Sequence, residues 1–397
     1  MNTKELVNRI RNMSVTWFSF NLATSAIILS SFALANLEHI ALLKDLAMIL
    51  AYINTATYIV ISIFYAIRIA IGWESFTKML RHPVQGPFLS VIPIATMLLS
   101  LDWSLVLNNI MVAALLFYIG LVIHTVLFII ITYRLERHPG IEVRYMNPGW
   151  YMPAVGNVLV PYVGAVLSVH GIHVSKSLMG IYLGTGTVMW IALFTIWLYR
   201  AIFYSPPPPR LMATTWINLA PPAVIPLSYE ALLGFTPDIY RVLIGTSKEV
   251  QQSPVVLKLL TSFFDFFYYT FWGVAGLLLA VIIVITVDYL AKRQVEFAES
   301  WWAFVFPLAA YTISTIHLYL HHTEDKWLVY YAWFLYILTW ISYLVTTILS
   351  IYYGIEELKG VPEEKLPAIL HPLEHDIEKT GNGVSNKDSK KTASPKS

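Results

Sequence analysis

Phe88–Trp103, FLSVIPIATMLLSLDW, runs after one serine into Leu105–Tyr133, LVLNNIMVAALLFYIGLVIHTVLFIIITY. The second stretch contains no Asp, Glu, Lys or Arg and is long enough to cross a hydrocarbon core of about 30 Å as a helix. The first is short and holds Pro93. A proline inside a helix frees a carbonyl and bends the axis, which lipid cannot repair but a protein interior or a water-lined cavity can. The pair therefore predicts a membrane hairpin: one short, proline-bent helix turned away from lipid, then one long straight helix facing it.

Working outward, eight more stretches have this character: Val15–Leu34, Leu46–Ile71, Trp150–Val169, Leu178–Phe203, Leu211–Phe235, Phe263–Leu290, Trp301–Leu320 and Leu328–Tyr353. Numbered in chain order, the odd ones hold every internal proline: Pro93, Pro153, Pro161, Pro221, Pro222, Pro226 and Pro307. The odd stretches are also the shorter, at 16 to 25 residues against 26 to 29. The expected fold is an all-α polytopic membrane protein of ten transmembrane helices in five hairpins, with an inner ring of odd-numbered, proline-kinked helices around a central pore. Bends at Pro93, Pro153, Pro161, Pro222 and Pro307 would shape that pore. Helices in membranes tolerate proline in general, so the alternation does not by itself require a pore.

With 57% hydrophobic and 14% aromatic residues and a mean hydropathy of +0.62, the chain is too apolar for a soluble globule of its length. Placing the N-terminus inside collects 20 Lys and Arg on the inner side and leaves 6 outside, so both termini are expected in the cytoplasm and the protein in the plasma or inner membrane. The first apolar stretch is too long for a cleaved signal and is expected to remain. Residues 1–354 read as the membrane domain. Residues 355–397 read as a polar cytoplasmic tail, largely disordered, and the connection between Gly234 and Leu260 as a longer outer loop. The absence of cysteine excludes disulfides and thiolate chemistry.

None of the odd stretches contains Lys or Arg. They offer uncharged polar groups: Asn21 and Thr24, Thr96, Asn157, Asn218 and Ser314 are candidates to line a path, although such residues also tie helices together. Glu230 and His317 fall late in stretches expected to run outward, near the outer mouth, while His124, deep in an even stretch, suits a structural role between helices. No Walker loop, HExxH, GxSxG or clustered His/Asp set occurs, so no enzyme, metal or cofactor is expected. In Trp301-Trp302-Ala303-Phe304-Val305-Phe306-Pro307 a bulky ring immediately precedes a proline. A phenyl group on the inner face of a narrow uncharged channel closes it by sterics and dewetting; on any other face it is packing.

The run Trp301–Ala310 resembles the ninth helix of the tellurite-resistance/dicarboxylate transporter family, which includes malic-acid transporters, sulfite efflux pumps and slow-type anion channels. Further stretches are similar in order: Trp17-Phe18 through Asn21, Thr24 and Ser25; His82-Pro83 ahead of Phe88 and Pro93; Pro148 to Pro161 with Trp150, Gly156 and Asn157; and Pro206 to Arg210 followed by Leu219-Ala220-Pro221-Pro222. The resemblance spans residues 13–354. It implies a ten-helix protomer with its own pore, a homotrimer, and Phe306 as pore gate. Where the family's first helix often carries a glycine element, this chain has Ala23-Thr24-Ser25-Ala26.

The function so implied is conduction of small anions, inorganic or C4-dicarboxylates such as malate, through a phenylalanine-gated pore, with the lipid bilayer as surroundings and no nucleic-acid partner. Without basic side chains in the inner stretches, selectivity would come from pore width, oriented dipoles and the cytoplasmic field, which discriminate modestly. Proton-coupled carriage of a dicarboxylate or of sulfite, using His317 and Glu230, is the alternative within transport. A membrane enzyme acting on lipid-linked substrates is a remote one, because His82, His138 and His170 to His173 are too scattered to form a site.

Overall fold

The computed structural model describes residues 7, 9–83, 85–137, 140–233, 254–292 and 297–358. Most of the loop expected after Gly234 and the tail beyond Leu358 lie outside these residues. Among the described residues there is no strand, and nine helices are long and apolar enough to cross a membrane: Trp17–Leu37, Ala41–Ile71, Gly86–Val106, Ile110–Arg137, Pro148–Val169, Lys176–Phe203, Ser262–Ala291, Glu299–His321 and Trp327–Ile355. The remaining expected span, Leu211–Phe235, is a 3-10 helix, Pro209–Leu219, continued by an α-helix, Ala220–Leu233. Its prolines, threonines, asparagine and glutamate dilute its hydropathy, and it does not reach the standard of the other nine. It is called the seventh segment below, and the other helices keep the ordinals of the sequence.

Burial divides the helices into odd and even, and the first helix, which has no proline, falls with the buried group. In the first, third, fifth and ninth, 78% to 83% of the most apolar window is buried within the protein; in the second, fourth, sixth, eighth and tenth the share is 17% to 28%. Side chains such as Met111, Val188, Val284 and Tyr330 project from the second group into the surroundings, which is stable only where those surroundings are apolar. The first helix packs on the third, the third on the fifth, the fifth on the seventh segment, the seventh on the ninth, and the ninth back on the first. Each even helix packs on the odd segment preceding it in the chain.

Local chemistry sets the ends. Between the third and fourth helices, Asn108 takes a left-handed conformation (φ 53°), which asparagine tolerates better than most residues. The Asn109 Oδ1 then accepts from the Val112 N–H at 3.2 Å and caps the fourth helix. That turn begins the fourth helix at Ile110 rather than Leu105, and the third ends in a π-helical segment, Asp102–Val106. The fifth helix stops at Val169 with Gly171 in the left-handed region (φ 89°), a glycine terminator. Beyond the second helix, Trp73–Arg81 forms a short separate helix with an exposed Glu74–Lys78 pair.

The prolines act differently from expectation. The third, fifth, seventh and ninth segments each begin as a 3-10 helix and then become α-helical: Gly86–Ser90 into Val91–Leu101, Pro148–Tyr151 into Met152–Val169, Pro209–Leu219 into Ala220–Leu233, and Glu299–Phe304 into Val305–His321. Pro93, Pro153, Pro222 and Pro307 all fall in the first turn of the α-helical part, where the missing N–H has no intrahelical acceptor to lose. They mark joints between two helix types and are not mid-helix kinks. Only Pro161 and Pro226 lie inside an α-helix.

Candidate functional site

At the end of the bundle where the first helix begins and the tenth finishes, and where Phe297 stacks on Tyr353 at 5.1 Å, a small open-mouthed cavity lies among the odd segments. Every one of them contributes: Thr16, Ser19 and Leu22 at the first helix, Phe88 and Val91 on the third, Met152 on the fifth, Ile217 and Ala220 on the seventh, and Ser300, Trp302, Ala303, Phe306 and Pro307 on the ninth. Among the described residues the walls are apolar apart from three hydroxyls and the Trp302 indole, and no charged side chain lines them. Phe306 forms part of the wall and is only 5% exposed. Trp302, which also lines the wall, packs edge-on against Phe20 (5.2 Å) and Tyr343 (5.7 Å), and Phe304, which does not line it, against Trp216 (5.0 Å). The Glu299 carboxylate, next to the lining residue Ser300, accepts from the Thr16 hydroxyl.

Most of the uncharged polar candidates turn away from this axis. Asn21 donates to Asn54 Oδ1 (2.9 Å) and Thr57 (3.0 Å) on the second helix, Thr24 meets the Tyr343 hydroxyl (3.0 Å) on the tenth, and Thr96 meets that of Tyr58 (2.6 Å) on the second. Asn157 lies between His124 on the fourth helix (2.7 Å) and Thr185 on the sixth (3.1 Å), and Ser314 meets the Tyr268 hydroxyl on the eighth at 3.3 Å. Asn218 returns a bond to its own turn, at Thr215 O. Each of these candidates thus has a hydrogen-bond partner on a neighbouring helix or in its own turn. An amide or hydroxyl on an inner helix gains most by satisfying a polar partner on the helix behind it, where no water competes. His124 has the structural place anticipated for it, beside Gly156, where an added Cβ would come within 2.2 Å of the imidazole.

One buried acid went unrecognised in the sequence. Asp102, at the π-helical end of the third helix, is wholly buried, and its Oδ2 accepts from Ser25 (2.7 Å) and Asn54 (3.0 Å), joining the first three helices. It reads in sequence as a span boundary; the signal available was simply an acid within an apolar stretch.

The opposite end holds the second concentration of polar groups. Glu230, near the end of the seventh segment, faces two histidines one turn apart on the ninth helix: His317 Nδ1 lies 3.0 Å from one carboxylate oxygen and His321 Nε2 lies 3.0 Å from the other. Tyr162 of the fifth helix meets the His317 ring edge-on at 6.2 Å. Slightly further along the ninth helix, His322 lies 3.4 Å from Asp265 of the eighth. Glu230 and His317 were anticipated here; His321 follows only from helical spacing and the facing acid. Among the described residues no group of His, Asp and Glu is arranged to hold a metal ion.

Residues 12–351 match the model of the family described as SLAC1, voltage-dependent anion channel. Two proteins of Methanocaldococcus jannaschii, both named uncharacterized transporters, are similar throughout: one is 28% identical over 356 residues, covering 87% of this chain and 96% of the relative, the other 26% over 358 residues, covering 88% and 96%. A protein of Haemophilus influenzae named a tellurite resistance protein TehA homolog is 26% identical over 236 residues, covering 57% of this chain and 68% of its own length.

Proposed function

The chain belongs to the voltage-dependent anion channel family, and on that footing we propose that it passes small anions, inorganic or C4-dicarboxylates such as malate, along the axis of its five odd segments. The observation that carries this reading is the cavity to which all five contribute without a charged side chain. Four α-helices begin at its wall or beside it, at Val91, Met152, Ala220 and Val305. The N–H groups of these four residues bond back to carbonyls of the 3-10 turns before them, so what the wall offers a small anion is its hydroxyls on an otherwise uncharged surface, without the tight binding that a lysine or arginine would impose, and the ion can leave as readily as it arrives. Discrimination among small anions is accordingly modest.

Phe306 is the gate in this reading: a buried phenyl ring at an uncharged constriction excludes both water and ions. In anion flux into proteoliposomes, Phe306→Ala should raise conductance severalfold over wild type, and an unchanged or lower flux from a well-folded variant would remove the gate. The seventh segment is the tenth crossing, completing five hairpins. The two chain ends lie in the cytoplasm, the membrane is the plasma or inner membrane, and three protomers, each with its own path, form the molecule.

A second reading, proton-coupled carriage of an acid such as malate, draws support from Glu230, His317 and His321. An imposed pH gradient separates the two. A carrier accumulates anion against its concentration gradient when protons flow inward; a channel does not.

A further inference from the structure

We infer that Glu230, His317 and His321 form an electrostatic filter at the far mouth of the path, admitting anions when that face is acidic and excluding them when it is alkaline. The inference rests on the anion-path reading above. Its basis is placement and charge. Glu230 is on the seventh segment, both histidines are on the ninth and Tyr162 on the fifth, so three of the five axial segments meet at one spot. That spot lies along the ninth helix from Phe306, eleven residues or about 16 Å away by the rise of an α-helix. The permeating anion would therefore meet two elements in series: an aromatic constriction and a titratable one.

The sign of the second element depends on its protons. With both imidazoles neutral and the carboxylate ionised, the trio carries one negative charge and repels an anion. With both imidazoles protonated it carries one positive charge and attracts one. Histidine is the side chain whose charge ordinarily changes between about pH 5 and pH 8. The carboxylate fixes the orientation of both rings, using Nδ1 of His317 and Nε2 of His321. The other titratable groups facing the trio are Tyr162 on the fifth helix and Tyr268 and Asp265 on the eighth. His322 pairs with Asp265 and lies 3.7 Å from Glu324. A change of two charges at a narrow mouth bounded by low-dielectric walls is large enough to alter local anion concentration by roughly tenfold.

The test is single-channel and macroscopic recording in planar bilayers of chloride current and of the chloride-to-sodium permeability ratio, in wild type and Phe306→Ala, with pH stepped from about 8 to about 5.5 on one face at a time. Acidification of one face only should raise both quantities about tenfold. His317→Gln combined with His321→Gln should hold them at the alkaline level, whereas Glu230→Gln should raise the alkaline level and keep a rise on acidification, since both histidines still titrate. A wild-type permeability ratio that does not respond to pH on either face overturns the filter without recourse to any variant. So does an unaltered pH response in the double histidine variant, or a reversal potential that follows the proton gradient at equal chloride. If neither wild type nor Phe306→Ala passes chloride at any pH, the anion-path reading fails and the filter with it; chloride current that ignores pH overturns the filter alone.

Discussion

Gly156 and Asn157 are neighbours on the fifth helix, and both are explained by His124. The imidazole of this fully buried histidine reaches Asn157 Oδ1 at 2.7 Å only because residue 156 has no side chain. Gly156→Ala should therefore destabilise the fold by about 1–3 kcal/mol through overpacking, read as a lower thermal unfolding temperature in detergent. His124→Ala in the same chain should recover part of that loss, and no recovery would mean that the clash lies elsewhere. Asn157, Asn21 and Thr96 share a lesson. In sequence, a polar residue on an inner helix looks like a lining group, yet each found its partner on the helix behind it. Helical periodicity cannot distinguish the face toward the axis from the face toward the second ring when both are buried. Phe306 escaped that ambiguity because the family pattern surrounding it, rather than periodicity, singled it out.

At the scale of the element, the 3-10 to α joints are what the prolines encode. A 3-10 segment closes its turns with i to i+3 bonds and ends where an α-helix can start, and a first-turn proline is compatible with that start. The joints place the change from 3-10 to α-helix of four segments around the cavity, with the first α-helical N–H of each bonded to a 3-10 carbonyl. Caps are the other determinant. Asn109→Ala removes the acceptor for the Val112 N–H and should cost about 1 kcal/mol, seen by hydrogen exchange as faster opening of the first turn of the fourth helix with the remaining helices unaffected. Equal protection in that turn would show that Asn109 contributes no cap.

At the scale of the whole molecule, the odd segments follow one another in a closed cycle of contacts, and the even helices, each packed on the odd segment before it, are the exposed ones. The lack of any cysteine makes the orientation directly measurable. Lys176→Cys, at the start of the sixth helix, should react with a membrane-impermeant maleimide added outside intact cells. Lys292→Cys, after the eighth, should react only once the membrane is opened, and the reverse pattern would invert the proposed topology. The sequence by itself determined membrane residence, the alternation of sheltered and lipid-facing helices and the family, because these depend on composition, length and order along the chain, which folding does not change. Proline position within each segment was legible but its meaning was not, since a kink and a helix start differ in which carbonyls are left free. Only the tertiary structure decided which faces of the inner helices meet the axis, that Asp102 and Asn157 look outward to partners, and that His321 joins His317 on Glu230. Those outcomes depend on contacts between residues up to 319 positions apart, settled by which polar groups can be satisfied once water is gone.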